Sequence, residues 1–187
     1  MGDIAHERMP SEWFARIVEV MTEAHAKRGH VFQCLTKRPG NLAQLLAAIN
    51  AREPLSGIWS GVSAGDQKHW SERVPWLLNG AIPNCLPWVS VELQLGLIDD
   101  DPSGLGWIVI GGESKTGRHA PRMFDLAWAY RLIARCHEAR VPVFIKQLGD
   151  NAWCDGNRFQ TLQHAGTNPA EWPNDLRIRQ YPTAWSG

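Results

Sequence analysis

The stretch Trp107-Ile108-Val109-Ile110 is continuously apolar and changes at once to Gly111-Gly112-Glu113-Ser114. A short run of bulky, β-branched residues followed by glycine is typical of a strand that is buried on both faces of a parallel sheet. Parallel α/β folds bind their ligands where the strands end and the loops begin. The stretch therefore predicts an α/β fold with a polar site at one edge of its sheet.

Four further segments show the same change from apolar to polar. Apolar runs at residues 31–35, 58–62, 88–91 and 141–145 end in the polar residues Thr36, Lys37, Arg38, Ser63, Glu92, Lys146 and Gln147. Amphipathic segments with helical spacing lie between the runs, which indicates a parallel sheet covered by helices. Because nearly every strand ends in polar residues, we expect a partial (β/α) barrel with about five parallel strands and its helices outside. A doubly wound sheet would concentrate its ligand at one switch point instead.

The chain is interpreted as a single α/β domain, 1–187, with three parts. Residues 1–10 form an opening loop, and residues 11–148 form the strand–helix core. Residues 149–187 form an irregular tail, rich in Trp, with at most a short hairpin.

Cap and turn signals predict where the helices begin. Ser11 is expected to cap the first helix, the turn Pro39-Gly40-Asn41 to lead into the second, and the last helix to begin near Asp125. Pro75 either kinks the third helix or restarts it with proline in the first turn.

The charge balance argues against several classes of function. Lys and Arg number 19, and Asp and Glu also number 19, so the whole chain has no electrostatic bias toward nucleic acid or a membrane surface. A local basic patch stays open. No apolar run approaches the roughly 20 residues of a membrane span, and no signal-peptide layout opens the chain. We therefore expect a cytoplasmic protein with no membrane partner.

The four cysteines predict no metal site. Cys34, Cys85, Cys136 and Cys154 are widely spaced, with no CxxC pair and no histidine at zinc-site intervals. Each is interpreted as a small apolar residue that fills space in the protein. The chain also has no P-loop, no dinucleotide fingerprint and no serine with a defined His and Asp set.

Six segments, taken in order, resemble a known family. They are HVFQCLTKRP (30–39), WSGVS (59–63), WVSVE (88–92), WIVIGGES (107–114), FIKQLG (144–149) and NPAEWP (168–173). Together they are similar to the phage gene-product thirty-seven/sixty-eight family, a domain of unknown function that is grouped with radical S-adenosylmethionine proteins. The resemblance implies a phage-related, radical-S-adenosylmethionine-like barrel and admits S-adenosylmethionine as a cofactor.

Complete members of that family begin with a cysteine-rich segment of the kind GCxxxSxGCxxCYA, which supplies three thiolates to a [4Fe–4S] cluster. The opening of this chain, GDIAHERMP (2–10), instead resembles a loop that follows the family's second strand. The chain thus resembles the C-terminal two-thirds of the family. Either the gene is truncated, or its start is misplaced, or the protein works without the cluster. We expect no [4Fe–4S] cluster on this chain.

The polar strand ends supply the candidate ligand-binding residues, which are Thr36, Lys37, Arg38, Ser63, Glu92, Gly111, Gly112, Glu113, Ser114, Lys146 and Gln147. Lys37 and Arg38 suit a carboxylate or phosphate. Glu92 and Lys146 are the candidates for a catalytic role. Each acts as a general acid–base group or a polar anchor, or else serves in an ion pair between loops. Ser63 either donates a hydrogen bond to the ligand or caps a helix.

The Gly111-Gly112 pair permits close approach of a ligand to the backbone, and Glu113 is expected to contact that ligand. If these residues form one site, then Lys37, Arg38, Glu92, Glu113 and Lys146 should converge around one pocket.

Three functions follow from these observations. The leading hypothesis is a barrel protein that binds a small anionic or zwitterionic ligand at its strand ends. The second is a non-catalytic accessory module or a truncated remnant, which pairs with another chain or with itself to complete the barrel. The third, a nucleic-acid-directed protein, is supported by the phage association and the Lys37–Arg38 pair alone.

Overall fold

The computed structural model describes residues 3–83 and 86–183. In this part of the chain the helices and strands follow one another as α1 (Ser11–Arg28), β1 (Phe32–Thr36), α2 (Pro39–Ala48), β2 (Ile58–Ser63), α3 (Gln67–Arg73), α4 (Pro75–Leu78), β3 (Trp88–Glu92), β4 (Trp107–Gly111), β5 (Phe124–Asp125), α5 (Leu126–Ala139), β6 (Val143–Gln147), β7 (Ala152–Cys154) and β8 (Asn157–Phe159). Three single-turn 3-10 helices follow at His164–Gly166, Pro169–Glu171 and Asn174–Leu176.

The central sheet has five parallel strands in the order β1-β2-β3-β4-β6. The order follows the chain without a reversal, so every crossover lies on the same side of the sheet. A doubly wound sheet would reverse its order at a switch point. The predicted partial (β/α) barrel is therefore confirmed, and the described strands do not close it.

One face of the sheet carries the helices. Its side chains, among them Val62, Val89, Ile108 and Ile145, belong to a single buried cluster. In the described residues each α-helix adds side chains to that cluster, through Phe14, Leu42, Leu45, Leu46, Trp70, Leu77, Leu126, Ala129, Leu132, Ile133 and Cys136. Because successive residues of a strand point to opposite faces, this burial explains every second residue of the Val and Ile runs.

The opposite face, which we call the inner face, has an aromatic half and a polar half. Trp59, Trp88 and Trp107 are buried near the amino ends of their strands, and the rings of Trp88 and Trp107 lie 5.8 Å apart. Toward the carboxyl ends the same face carries Ser90 and Glu92, which alternate with Val89 and Val91 on the helix side. The aromatic layer thus covers the half of the inner face at the amino ends of the strands, and polar side chains occupy the half at the carboxyl ends.

The two edges of the sheet differ. The tail covers the β6 edge, where Ile145 N–H donates to the Ile178 carbonyl at 2.8 Å and Gln180 N–H donates to the Val143 carbonyl at 2.9 Å. At the other edge, no strand of the described residues pairs with the outer side of β1. The sheet is therefore open at β1.

Several predicted boundaries are wrong by one or two residues. The last strand spans Val143–Gln147 rather than 141–145, because Pro142 has no N–H to donate and Val141 N–H closes the preceding helix on the Cys136 carbonyl. The first helix includes Ser11 and is preceded by Pro10, with no side-chain cap. Pro39, Gly40 and Asn41 lie inside α2, since proline is favoured in a first helical turn.

Two other helix predictions are confirmed. The chain restarts at Pro75 as a separate short helix, and the Asp125 carboxylate caps α5 by accepting from Ala127 N–H at 2.9 Å. No helix among the described residues combines the length and apolar character that crossing a membrane requires.

The tail contains the short hairpin that was expected and a pairing that was not. Strands β7 and β8 pair antiparallel around Asp155 and Gly156, which both have positive φ. The two-residue strand β5 pairs with β7 and makes a second, three-stranded sheet. That pairing was missed because two residues give no periodic signal.

Candidate functional site

Three strand ends lie side by side at the carboxyl edge of the sheet. Glu92 is in register with Gly111, and Gly111 is in register with Gln147. Lys146 Nζ lies 2.9 Å from Glu92 Oε1, and Ser90 Oγ donates to Glu92 Oε2 at 3.1 Å. Both oxygens of this carboxylate are thus held from the inner face. We call Ser90, Glu92 and Lys146 the inner-face cluster.

The inner-face cluster is partly open to solvent. The side chain of Lys146 is 57% exposed and that of Glu92 is 24% exposed, whereas Ser90 is buried. The buried serine therefore holds the Glu92 carboxylate in place. The Lys146 ammonium group can leave the pair and remain in solvent. Of the alternatives for Glu92 and Lys146, the structure shows the ion pair, and it leaves both charges reachable by a ligand.

Gln147 and Ser114 hold the loop after β4. Gln147 Nε2 donates to the Gly112 carbonyl at 2.9 Å and contacts Ser114 Oγ at 2.7 Å. The amide of Gln147 is thus engaged by the protein's own loop beside the inner-face cluster.

Gly111, which ends β4, and Gly112, which begins the loop, meet protein rather than open space. A Cβ on Gly112 would overlap the Leu148 carbonyl and the Phe124 ring, whereas a Cβ on Gly111 would lie 3.4 Å from Glu92 Oε1 and from the Gln147 carbonyl. The close approach that Gly112 permits is therefore to the backbone of residue 148.

Glu113 turns away from the cluster and binds Arg122. Its carboxylate accepts from Arg122 N–H at 2.8 Å, from Nε at 2.9 Å and from Nη2 at 2.8 Å. These hydrogen bonds from Arg122 lower the pKa of Glu113 to about 2. Since the group stays ionised at neutral pH, it is suited to closing the loop between the two residues and unsuited to donating a proton.

The cationic end of β1 forms a separate group with the opening loop. Thr36 is buried and donates through Oγ1 to Asp3 Oδ2 at 3.0 Å, and Arg38 Nη1 lies 3.1 Å from the same oxygen. Arg38 Nε also lies 3.3 Å from Glu7 Oε1. The side chain of Lys37 is exposed, and its N–H lies 3.4 Å from Asp3 Oδ2.

The sequence patterns predicted neither Asp3 nor Glu7 as a member of this group, and Asp3 has the larger number of contacts in it. Burial alone would raise the pKa of Asp3, but hydrogen bonds from Thr36, from the N–H groups of Ala5 and Lys37, and from Arg38 outweigh it and lower the pKa. The sequence does contain a signal for this contact, because Asp3 lies in the opening loop and two cations, Lys37 and Arg38, follow β1.

Ser63 ends β2 beside Ser90, with which it is in register. The alternative that Ser63 caps a helix is wrong, because Asp66 caps α3 by accepting from His69 N–H at 2.8 Å. The Ser63 carbonyl instead accepts from Arg73 Nη1 at 2.7 Å.

The described cysteines do not fit an iron–sulfur cluster. Cys34 lies in β1 and Cys136 in α5, where burial raises the pKa of the two thiols to about 11 and about 12, respectively. Cys154 lies in β7. Because a cluster needs several thiolates close together, these three positions do not supply one. Cys85 lies outside the described residues, and no group of three or more metal-ligating side chains occurs within them.

The family comparison covers all of the strand ends described above. Residues 1–172 match the model of the family described as protein of unknown function (DUF5131). The chain belongs to the DUF5131 family. No curated protein and no solved structure shows a significant similarity to this DUF5131 chain.

The structure of this DUF5131 member divides the candidate residues into three groups. Glu92, Gly111, Lys146 and Gln147, with Ser63, Gly112 and Ser114 nearby, lie at the ends of neighbouring strands. Thr36, Lys37 and Arg38 lie at β1, at the opposite end of the sheet from β6, and are held by the opening loop. Glu113 forms the third group with Arg122. Of the five charged side chains expected to converge, Glu92 and Lys146 pair with each other. Arg38 binds Asp3 and Glu7, and Glu113 binds Arg122.

Proposed function

We propose that this chain is a radical-S-adenosylmethionine-like partial barrel, related to the phage family that its sequence resembles, and that it binds a small zwitterionic ligand at its strand carboxyl ends. The observation that carries the proposal is the Lys146–Glu92 pair at 2.9 Å on the inner face, with the lysine side chain 57% exposed. An ion pair that is open on one side presents a positive and a negative group together, which is the pattern that a zwitterion complements.

The exchange leaves no charge unpaired. A ligand ammonium group would replace Lys146 at the Glu92 carboxylate, and the ligand carboxylate would bind the displaced Lys146 ammonium. Ser90 would keep the Glu92 carboxylate in place during this exchange, because it donates to the other oxygen at 3.1 Å. An anionic ligand without an amino group would bind Lys146 alone.

S-adenosylmethionine has such an amino-acid group, and the sequence resemblance favours it as the ligand. Glu92 would hold its amino group and Lys146 its carboxylate. When bound, S-adenosylmethionine would supply an electrophilic sulfonium, from which the methyl group or another carbon substituent of the sulfur can be transferred. Since Cys34, Cys136 and Cys154 do not fit a cluster, we propose no reductive cleavage by this chain and assign Glu92 and Lys146 a binding role.

The first prediction tests the zwitterion. S-adenosylmethionine and L-methionine should bind the full chain in isothermal titration calorimetry, and adenosine, which lacks the amino-acid group, should not. Lys146→Met and Glu92→Gln should each weaken binding by about tenfold or more, because each removes one charge-assisted contact.

The matched control is Lys27→Met, which breaks a similar pair with Glu23 at 3.0 Å on the surface of α1 and should leave binding unchanged. A wild-type protein that binds none of these compounds at millimolar concentration would contradict the proposal. Equal affinity in Lys146→Met and the wild type would contradict it as well.

The open edge of β1 favours a second candidate, an accessory module that completes its sheet with a second copy of itself. Phe32 N–H donates toward β2, to the Gly57 carbonyl at 2.7 Å, so the peptide groups of Gln33 and Leu35 point away from β2. The strand has no charged residue, and Leu35 is 38% exposed. Uncharged, unpaired edges are the ones that add further strands, and a two-fold axis lets identical edges pair.

If this second candidate is right, sedimentation velocity should show a concentration-dependent dimer, and Leu35→Lys should shift it to monomer, since an edge lysine opposes strand addition. Leu162→Lys places the same charge on a residue of the tail that is 98% exposed and should leave the dimer intact. A wild-type chain that stays monomeric at high concentration would rule out pairing with a second copy.

A further inference from the structure

A cavity of about 510 Å³ lies beyond the carboxyl ends of β4 and β6, between the loop after β4 and the segment after β8. Its wall includes Lys115, Arg118, Arg158, Phe159 and His164. The volume lies within the range of about 300–1,000 Å³ that small-molecule sites occupy. None of these residues belongs to the inner-face cluster.

The charged side chains that line the cavity are predominantly cationic. Lys115, Arg118 and Arg158 face a single lining carboxylate, that of Asp150. No salt bridge joins Lys115 or Arg118 to a carboxylate within residues 3–83 and 86–183, and both side chains are exposed. The whole chain is neutral, with 19 cationic and 19 acidic residues, so this concentration of positive charge is local.

The Asp150 carboxylate is engaged by the backbone around it. Its Oδ2 accepts from Lys115 N–H at 2.6 Å, and its Oδ1 accepts from Ala165 N–H at 2.7 Å. Burial alone would raise the pKa of Asp150, but these two backbone hydrogen bonds lower it. The carboxylate therefore ties both walls of the cavity together while the lysine and arginine side chains stay available for an anion.

The cationic loop is also fixed at its base. Glu113 accepts three hydrogen bonds from Arg122, which closes the loop that carries Lys115 and Arg118. Arg158 Nη2 donates to the Asp150 carbonyl at 3.0 Å, which holds that guanidinium at the opposite wall. A loop held at both ends places its cations with less loss of entropy on binding than a free loop would.

We propose that this cavity binds the phosphate ester of a nucleotide. Arg and Lys side chains provide charge-assisted hydrogen bonds to phosphate oxygens. Phe159 and Pro121 add apolar surface beside the cations, which suits a ligand that joins a phosphate to a flat base. The phosphate can come from a free nucleotide or from single-stranded nucleic acid, since both present the same ester beside a base.

The test compares adenosine monophosphate, adenosine, inorganic phosphate and a short oligothymidylate on the full chain by titration calorimetry at low and physiological salt. Adenosine monophosphate should bind and adenosine should not. Lys115→Ala combined with Arg118→Ala should weaken binding of the monophosphate by about tenfold or more. The single variant Arg118→Lys keeps the charge and loses the planar guanidinium. Its affinity for the monophosphate should lie between those of the wild type and the double variant.

The matched control combines Arg8→Ala with Arg28→Ala, which removes the same charge from exposed residues elsewhere and should leave affinity unchanged. Much tighter, salt-sensitive binding of the oligonucleotide would identify nucleic acid as the source, and tighter binding of the monophosphate would identify a free nucleotide. Equal weakening by the control would overturn the site, as would absence of binding by the wild type. Neither result depends on Glu92 or Lys146.

Discussion

A Trp172→Ala variant is expected to lose about 3–5 kcal/mol of its free energy of unfolding, the usual cost of removing a buried tryptophan. Trp172 is 2% exposed and belongs to the main buried cluster on the helix side of the sheet. Its Nε1 donates to the Gly166 carbonyl at 2.8 Å, and the Arg179 guanidinium lies 5.5 Å from the ring centroid. Truncation would leave a cavity and remove one of the two hydrogen bonds that the Gly166 carbonyl accepts, the other coming from Leu148 N–H at 3.1 Å.

The loss should extend to the edge of the central sheet. Arg177 donates to the Trp172 carbonyl through Nε at 3.1 Å and through Nη2 at 2.9 Å, and the next residues pair with β6 through Ile178 and Gln180. Trp172 therefore anchors the segment that covers the β6 edge. Although the tail has little regular secondary structure, its removal would leave the β6 edge unpaired, as the β1 edge already is.

Urea unfolding followed by far-ultraviolet circular dichroism measures the effect, because this signal does not depend on the tryptophan that is removed. Leu162→Ala is the matched control in the same tail, since Leu162 is 98% exposed and should change stability by less than about 0.5 kcal/mol. A Trp172→Ala cost below about 1 kcal/mol would show that the tail is not part of the cooperative unit.

The central sheet could be predicted from the sequence because its signal is local. Continuous runs such as Trp107–Gly111 are buried on both faces, and the polar residue that ends each run lies at the same edge of a parallel sheet. The register of Glu92 with Gly111 follows from that arrangement. The strand ends alone therefore predicted that β3, β4 and β6 would present polar residues at one edge. They did not distinguish Glu92 and Lys146, which pair, from Arg38 and Glu113, which bind other partners.

The partners of the site residues could not be predicted in the same way. Asp3 binds Arg38 across 35 positions of the chain, and Lys146 binds Glu92 across 54 positions, so only the folded topology brings these charges together. Glu113 illustrates the opposite case. Its partner Arg122 is only nine positions away, so the pair is local in sequence. The pattern of a strand end followed by Gly-Gly-Glu predicted a ligand contact, whereas the two residues of opposite charge close the loop.

The Gly111-Gly112 pair leads to the second large effect. A Gly112→Ala variant is expected to lose about 2–4 kcal/mol of its free energy of unfolding, because the new methyl group would overlap the Leu148 carbonyl and contact the Phe124 ring. Neither neighbour can give way cheaply. The backbone of Leu148 is held by its N–H, which donates to the Gly166 carbonyl at 3.1 Å. The Phe124 ring is buried, with 1% of the residue exposed.

Gly111→Ala is the matched control, at the preceding residue, which ends β4, and with φ outside the positive region as well. Its new methyl group would lie 3.4 Å from the Gln147 carbonyl and from Glu92 Oε1, which is ordinary van der Waals contact. Its stability should change by less than about 1 kcal/mol, with part of any cost offset by the lower entropy of the unfolded chain. Equal urea midpoints for the two alanine variants would show that the backbone at Leu148 moves aside, and that the second glycine is not required by the approach of β4 to the segment after β6.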